Sequence, residues 1–345
     1  MKVKPAIWNW LTPCSALVAI AVVSLGCAEK VPPKVVVFTS VDREVALPIF
    51  AAFTKATGVN VQAAYGTEPA QSTGLARQIV AHGAQARCDL FWNDTIFDTL
   101  WLEREGLLRP FTPPNASDLP AAARSSQSTW YAVATDARIL IINTRQLAES
   151  RQPKSIEELT DPQWYERAGI ARPTKGASAT HAACIFQAWG DAKAQEFFLA
   201  VKRNARILAS DREVAHAVAT GSLAFGLTNA SDAIVELAAG APIAIIYPDQ
   251  EEGQLGTLFI PSTVALLKNS PDAQPAEQLL NFLLSAEVAE KLAAVPAALL
   301  PLRTGVQANK ELKPSADVRA MPADFSAAAA NWDATSKFLD AEFAP

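Results

Sequence analysis

The stretch from Val35 to Val61 constrains the fold of this 345-residue chain more than any other part of it. Val35 to Phe38 form a short apolar run rich in β-branched residues, the pattern of a strand buried on both faces of a parallel sheet. An amphipathic helix follows, burying Val45, Ile49, Phe50 and Phe53, and Gly58 stops it. A second strand then reaches Val61. The order strand, polar turn, helix, glycine turn, strand reads as a βαβ unit. Thr39, Ser40, Val41 and Asp42 fall at the carboxyl end of its first strand, where open α/β sheets place their ligands.

The segment before this unit reads as an export signal. Lys2 and Lys4 precede an uncharged stretch from Pro5 to Ala28 whose most apolar part runs from Ala16 to Gly26. Ser24-Leu25-Gly26-Cys27 resembles a bacterial lipobox, departing from its pattern at Ser24, where an aliphatic residue is usual. The leading expectation is a signal peptide over residues 1–27 with a lipobox-like end and lipidation of Cys27. Cleavage after Ala28 and retention as an uncleaved anchor are the alternatives, the latter because the stretch matches the roughly 20 residues that span a bilayer. All three export the remainder to the periplasm or cell surface, and the first tethers it as a lipoprotein.

The roughly 310 residues that follow exceed one typical domain and suit two lobes of shared topology. Half of all residues are hydrophobic, enough for sizeable cores. The formal charge of -5, lowered further by loss of Lys2 and Lys4, excludes the basic footprint of a nucleic-acid binder. Outside the leader, Cys88 starts an apparent strand and Cys184 sits inside an apolar helix far along the chain. The expectation is two separate buried thiols, with no Cys-x-x-Cys pair to hold zinc.

Further along, the pattern predicts a helix near 72–83, a strand at 89–92 and a helix at 95–106, continuing the α/β alternation. Trp130–Val133 and Ala137–Asn143 read as two strands. A second α/β unit occupies 169–267, followed by helices at 276–284 and 287–294 and one helix in the tail at 323–341.

From Lys34 to Arg303 the chain resembles the extracellular solute-binding proteins of ABC importers, in the group that includes periplasmic ferric-binding proteins. The residues that carry this are Phe38-Thr-Ser-x-Asp42, Phe53-x-Lys-x-Thr-Gly-Val59, Cys88-Asp-Leu-Phe-Trp-Asn-Asp94, Ala137-Arg-x-x-Ile-x-Asn143, Ser155-Ile-Glu-Glu-Leu-x-Asp-Pro-x-Trp164 and Gly221-x-Leu-Ala-Phe-Gly-Leu-Thr-Asn229. Tyr247-Pro-Asp-Gln250 and the run from Gly256 to Leu267 add to it. The resemblance implies an α/β type II periplasmic-binding fold: two Rossmann-like lobes joined by a two-crossing hinge. Its lobes would be 34–135 with 257–303, and 136–256, with a helical tail at 304–345 and crossings near Thr135–Arg138 and Pro248–Gly256. It also implies a monomer that delivers a small-molecule or metal ligand to a permease in the inner membrane, with no cofactor beyond a metal such as iron bound as cargo. Ferric-binding relatives hold iron with tyrosine phenolates. Here the tyrosine pair corresponds to Ser231 and Asp232 and the single tyrosine to Ile142, so a tyrosinate iron site is not expected.

The loops expected to face the cleft supply Ser40, Asp42, Glu68, Thr73, Trp92, Asn93 and Asp94 from the first lobe, and Thr180, His181, Asn229, Ser231 and Asp232 from the second. Two readings stay open. Carboxylates outnumber cations among these loops and suit a metal, a metal complex or an amine-bearing solute, with Glu68, His181 and Asp232 as candidate metal ligands. Helix starts near Ser72, Ala177 and Ser231 offer free N–H groups and suit a carboxylate or phosphate. Each residue also has a plainer role: Asp42 and Ser231 as helix caps, Trp92 as core, His181 as an ordinary helix residue. Hydrolase, zinc-protease, phosphate-loop and dinucleotide motifs are missing from the sequence, so an enzyme is not expected. A sensory receptor is the remaining alternative.

Overall fold

The computed structural model describes residues 1–3, 32–66 and 69–344, and the side chains within these except those of 69–73 and 84. The lipobox, Cys27 and Glu68 lie outside the described residues. From Pro32 onward the chain is one compact unit.

The opening is the βαβ unit: β1 (Lys34–Thr39), α1 (Arg43–Thr57), β2 (Asn60–Tyr65). Gly58 ends α1 in the left-handed conformation at φ 75°, its N–H donating to the Thr54 carbonyl. There follow α2 (Pro69–His82), β3 (Leu90–Asn93) and α3 (Ile96–Arg104), then β4 (Trp130–Asn143), β5 (Ala168–Ala171), α4 (Gly176–Trp189), α5 (Asp191–Asn204), β6 (Arg206–Leu208), α6 (Asp211–Ala219), β7 (Phe225–Asn229), α7 (Ala230–Ala238) and β8 (Ile243–Ile246). Last come β9 (Phe259–Leu266), α8 (Ala273–Leu283), α9 (Ala286–Ala294), β10 (Leu300–Pro301), α10 (Phe325–Ala330) and α11 (Trp332–Phe343).

The described strands form one sheet in the order β2-β1-β3-β9-β4-β7-β5-β6, with β8 and β10 also paired to β4. Its two ends are parallel, β2-β1-β3 on one side and β7-β5-β6 on the other, while β9 and β4 run antiparallel through the middle. β4 joins the halves. Its residues up to Ala137 pair with β9, and from Arg138 onward they pair with β7. The sequence reads two strands here, but β4 is continuous, with only a register shift between Ala132 and Ala134. A buried strand whose neighbours change needs no turn residue, so nothing in its sequence marks the change.

Each half has its own core. Val37, Phe50, Phe53, Leu90 and Trp92 pack with Leu279 and Leu283 of α8 in the first. Leu140, Ile170, Phe186, Phe198 and Phe225 pack with Leu339 and Phe343 of α11 in the second. The tail is two helices, not one. Before them, Thr257 bridges in parallel to Ala320, where the tail comes within 2.9 Å of a Cβ built on Gly256, so only glycine fits. Cys88 and Cys184 are both free and buried, as the sequence leads one to expect. Among the described residues no helix is long and apolar enough to cross a membrane.

Candidate functional site

The carboxyl ends of the strands in both halves open on a cavity of about 1280 Å³. Helices begin at its walls on both sides: α1 at Asp42, α3 at Thr95, α4 at Lys175, α6 at Ser210 and α7 at Asn229. Gly176, in the left-handed region at φ 62°, lets the chain turn into α4 there.

The first wall carries Asp42, Asp94 and Asp98. Asp42 stands at the cap position of α1 without capping it. Its carboxylate instead reaches across to the second half, 2.7 Å from Arg212 Nη2. Asp94 is exposed to the cavity and is held from behind: the Ser40 hydroxyl lies 2.5 Å from its Oδ1 and accepts from its backbone N–H at 2.9 Å. Its place between the cavity walls strips water from the Asp94 carboxyl and pushes it up, helped by Asp98 and Asp42 and opposed by Ser40, an effect weakened by the residue's open side.

The second wall is a connected network. Arg138, fully buried on β4, donates to Asp211 (2.8 Å), Asn229 (2.7 Å) and Ser178 (3.1 Å). Asn229 passes the chain on to Asp232 at 3.2 Å. Ser231 donates both its N–H and its hydroxyl to Asp136, at 3.2 and 2.5 Å. Burial raises Asp232 to about 7, reinforced by Asp211 and Asp136 and opposed by Arg212 and Asn229. Burial likewise raises Asp136 to about 6 against the pull of Ser231 and Arg138. These carboxyls are costly to ionise, and a cation placed among them lowers that cost.

Of the residues singled out in the sequence, Asp42, Asp94, Thr180, Asn229, Ser231 and Asp232 line the cavity. The Thr180 hydroxyl is turned back onto the Gly176 carbonyl. Four others do not line it. Trp92 is core, fully buried edge-on to Phe50 at 5.7 Å, because β3 is covered on both faces. Ser40 and Asn93 are buried behind Asp94, where they position it. His181 faces away into a cavity of about 20 Å³ shared with Arg138 and lined by Leu159, Ile185 and Phe198. Burial and the Arg138 charge push His181 well below 6.5, so it is a neutral helix residue. Thr73 lies on α2, whose opening side chains are outside the described residues, as is Glu68.

The sequence reading missed Asp136, Asp211, Arg212 and the tail residues Trp332 and Asp333, which also line the cavity. An Asp inside an otherwise apolar strand was a signal for Asp136, since a carboxylate is rarely buried there without a task. Nothing marked Arg212, an exposed residue in a helix first turn.

None of Tyr65, Tyr131, Tyr165 and Tyr247 lines the cavity. Tyr131 and Tyr247 are buried, one bonding the Phe111 carbonyl and the other the Lys313 N–H. Among the described residues no three His, Cys, Asp or Glu side chains converge as a metal site.

The comparisons with known proteins agree with this architecture. The major ferric iron-binding protein of Neisseria meningitidis is 27% identical over 314 residues, covering 88% of this chain and 91% of that one. A putative 2-aminoethylphosphonate-binding periplasmic protein of Salmonella typhimurium is 23% identical over 268 residues, covering 76% and 75%. The crystal structure of iron-bound HitA from Pseudomonas aeruginosa superposes with a TM-score of 0.81 at 24% identity, covering 89% of this chain and 99% of HitA, and so shares its fold. Residues 49–323 match the family model, and the chain belongs to the bacterial extracellular solute-binding proteins.

Proposed function

We propose that this protein is the exported receptor of an ABC importer and that it captures a cationic, amine-bearing solute between its two halves, leaving the solute chemically unchanged. The observation that carries this is the set of carboxyls on facing walls, Asp94 on one and Asp136 and Asp232 on the other, all raised toward neutrality by burial and, for Asp94 and Asp232, by like charge as well. A bound ammonium reverses that repulsion, and a solute touching both walls favours the closed arrangement over an open one.

The reading takes residues 34–135 with 257–303 as one lobe and 136–256 as the other, bending where β4 changes partners. The 304–345 tail rides mainly on the second. Loaded protein docks as a monomer on a permease in the inner membrane, tethered through lipidated Cys27.

One observation favours a solute that also bears a phosphate or phosphonate. α4 opens on the cavity at Lys175 and Gly176 with no side-chain cap, and a relative named for 2-aminoethylphosphonate binds, by its name, a molecule with both groups. Ferric iron, which other relatives' names specify, fits this cavity best as a complex bringing its own ligands, because the tyrosines lie elsewhere.

The test is a thermal-shift screen at pH 6 and pH 8 with diamines, aminophosphonates, inorganic phosphate and ferric citrate, followed by native mass spectrometry of the hit. Mass action makes the shift report affinity. An amine-bearing solute that stabilises more at pH 8, and is recovered intact, is the expected result. Stabilisation by plain phosphate alone, greater at pH 6, defeats the reading.

A further inference from the structure

Arg212 lies in the first turn of α6 in the second half, yet its guanidinium is shared between the halves. Nη2 stands 2.7 Å from Asp42 Oδ2 of the first half, and Nε stands 3.9 Å from Asp232 Oδ1 of its own half. Asp42 leaves its helix uncapped to make this contact. A planar cation thus sits on the cavity wall between carboxylates of opposite lobes. That is the place and the charge that the proposed amine-bearing solute needs.

We propose that Arg212 is a built-in placeholder: in the empty protein its guanidinium occupies the solute's cation subsite and ties the two halves together, and the arriving ammonium displaces it. The second part of this rests on the cationic-solute reading; the tie itself does not. The device accounts for a cleft whose carboxylates would otherwise repel one another across the gap, and it makes Arg212 a specificity determinant. A neutral solute cannot replace the guanidinium and leaves the tie in place. An anionic solute meets the carboxylates that Arg212 now screens. The tie is part-exposed, with side-chain exposures of 68% for Arg212 and 37% for Asp42, so it is weak enough for a solute to break.

The experiment uses the chain from Pro32 onward with spin labels at Leu47→Cys on α1 and Val235→Cys on α7, exposed positions on opposite halves. Native Cys88 and Cys184 are buried and do not compete for label. Inter-label distances are measured by pulsed electron resonance without solute, in the parent and in Arg212→Ala. The tie predicts that the ratio of short to long distances falls about two- to fivefold in the variant, the scale of a part-exposed ion pair. An unchanged distribution overturns it. Millimolar methylguanidinium, which fits the space the side chain vacates, is then added to the variant. Recovery of the parent distribution, not matched by sodium chloride at equal ionic strength, supports the cation subsite. A widened distribution that methylguanidinium leaves widened overturns the placeholder role while the tie stands, and the cationic-solute reading falls with it only if amine-bearing solutes also give no thermal shift in the parent.

Discussion

The two walls of the cavity solve the same problem in different ways. On the second wall the carboxylates Asp211 and Asp232 are built into a network around a buried guanidinium, with Asn229 and Ser178 also taking its bonds. On the first wall Asp94 is held by Ser40, and Asp42 pairs with a cation reaching over from the other side. One wall is organised before a solute arrives; the other is completed from across the gap. The difference teaches that the second wall carries its own geometry, while the first wall depends on a partner from across the gap.

The largest effect that would break this comparison is on Arg138. Arg138→Met strands Asp211 with no buried counter-charge, and we expect urea unfolding to show a loss of about 3 kcal/mol or more. A loss below about 1 kcal/mol would mean that the network does not hold the second wall. Next is Asp232→Asn, expected to lower affinity for an amine-bearing solute at least tenfold by calorimetry, since a bond to a charged group is worth about 1.5–3 kcal/mol. Equal affinity in variant and parent would remove Asp232 from the site.

The same variant sharpens the comparison through pH. A carboxyl raised by folding contributes its stability below its ordinary value of 3.8 and loses it as pH climbs through the folded value, so for Asp232 the window runs from 3.8 to about 7. Without solute, Asp232→Asn should match the parent near pH 4 and exceed it by about 1–2 kcal/mol at pH 8, the upper part of the shift being discounted for water in the cavity. Asp94→Asn, more open to that water, should show a smaller rise over the same range. A difference that is flat with pH contradicts the assignment. The smallest effect on affinity belongs to Trp92→Phe, which should cost about 1–2 kcal/mol of stability and leave solute affinity within about twofold, because the indole is core. A large affinity loss would restore Trp92 to the cleft.

Much of the fold was legible because its signals are local. β-branched runs, Gly58 and the strand-to-helix turns mark β1, α1 and their successors, and the ordered motifs imply the family to which the chain belongs. The same turns placed Asp42, Asp94, Asn229, Ser231 and Asp232 on the cavity. What failed was the choice of face. In a strand buried on both sides there is no alternation to read, so Trp92 and Asn93 looked as available as Asp94. His181 failed for the matching reason on a helix, since α4 is apolar nearly all round and its sequence does not say which side meets the cavity. Arg212 was missed because its role comes from a long-range contact, α6 against the α1 turn, which no local pattern encodes; Asp136 carried a local signal, but its partner Ser231 lies far along the chain.

The central claim is that the cleft is made for a cation, and proton exchange on binding tests it most directly. The amine-bearing solute that stabilises the protein most should be titrated calorimetrically at pH 7 in two buffers of different ionisation heat. Asp232, raised to about 7, is part-protonated at that pH, and Asp94 is raised in the same direction, so the pair must shed protons to accept an ammonium. The account expects net proton release that disappears in Asp232→Asn combined with Asp94→Asn. Proton uptake on binding, or none, would contradict it.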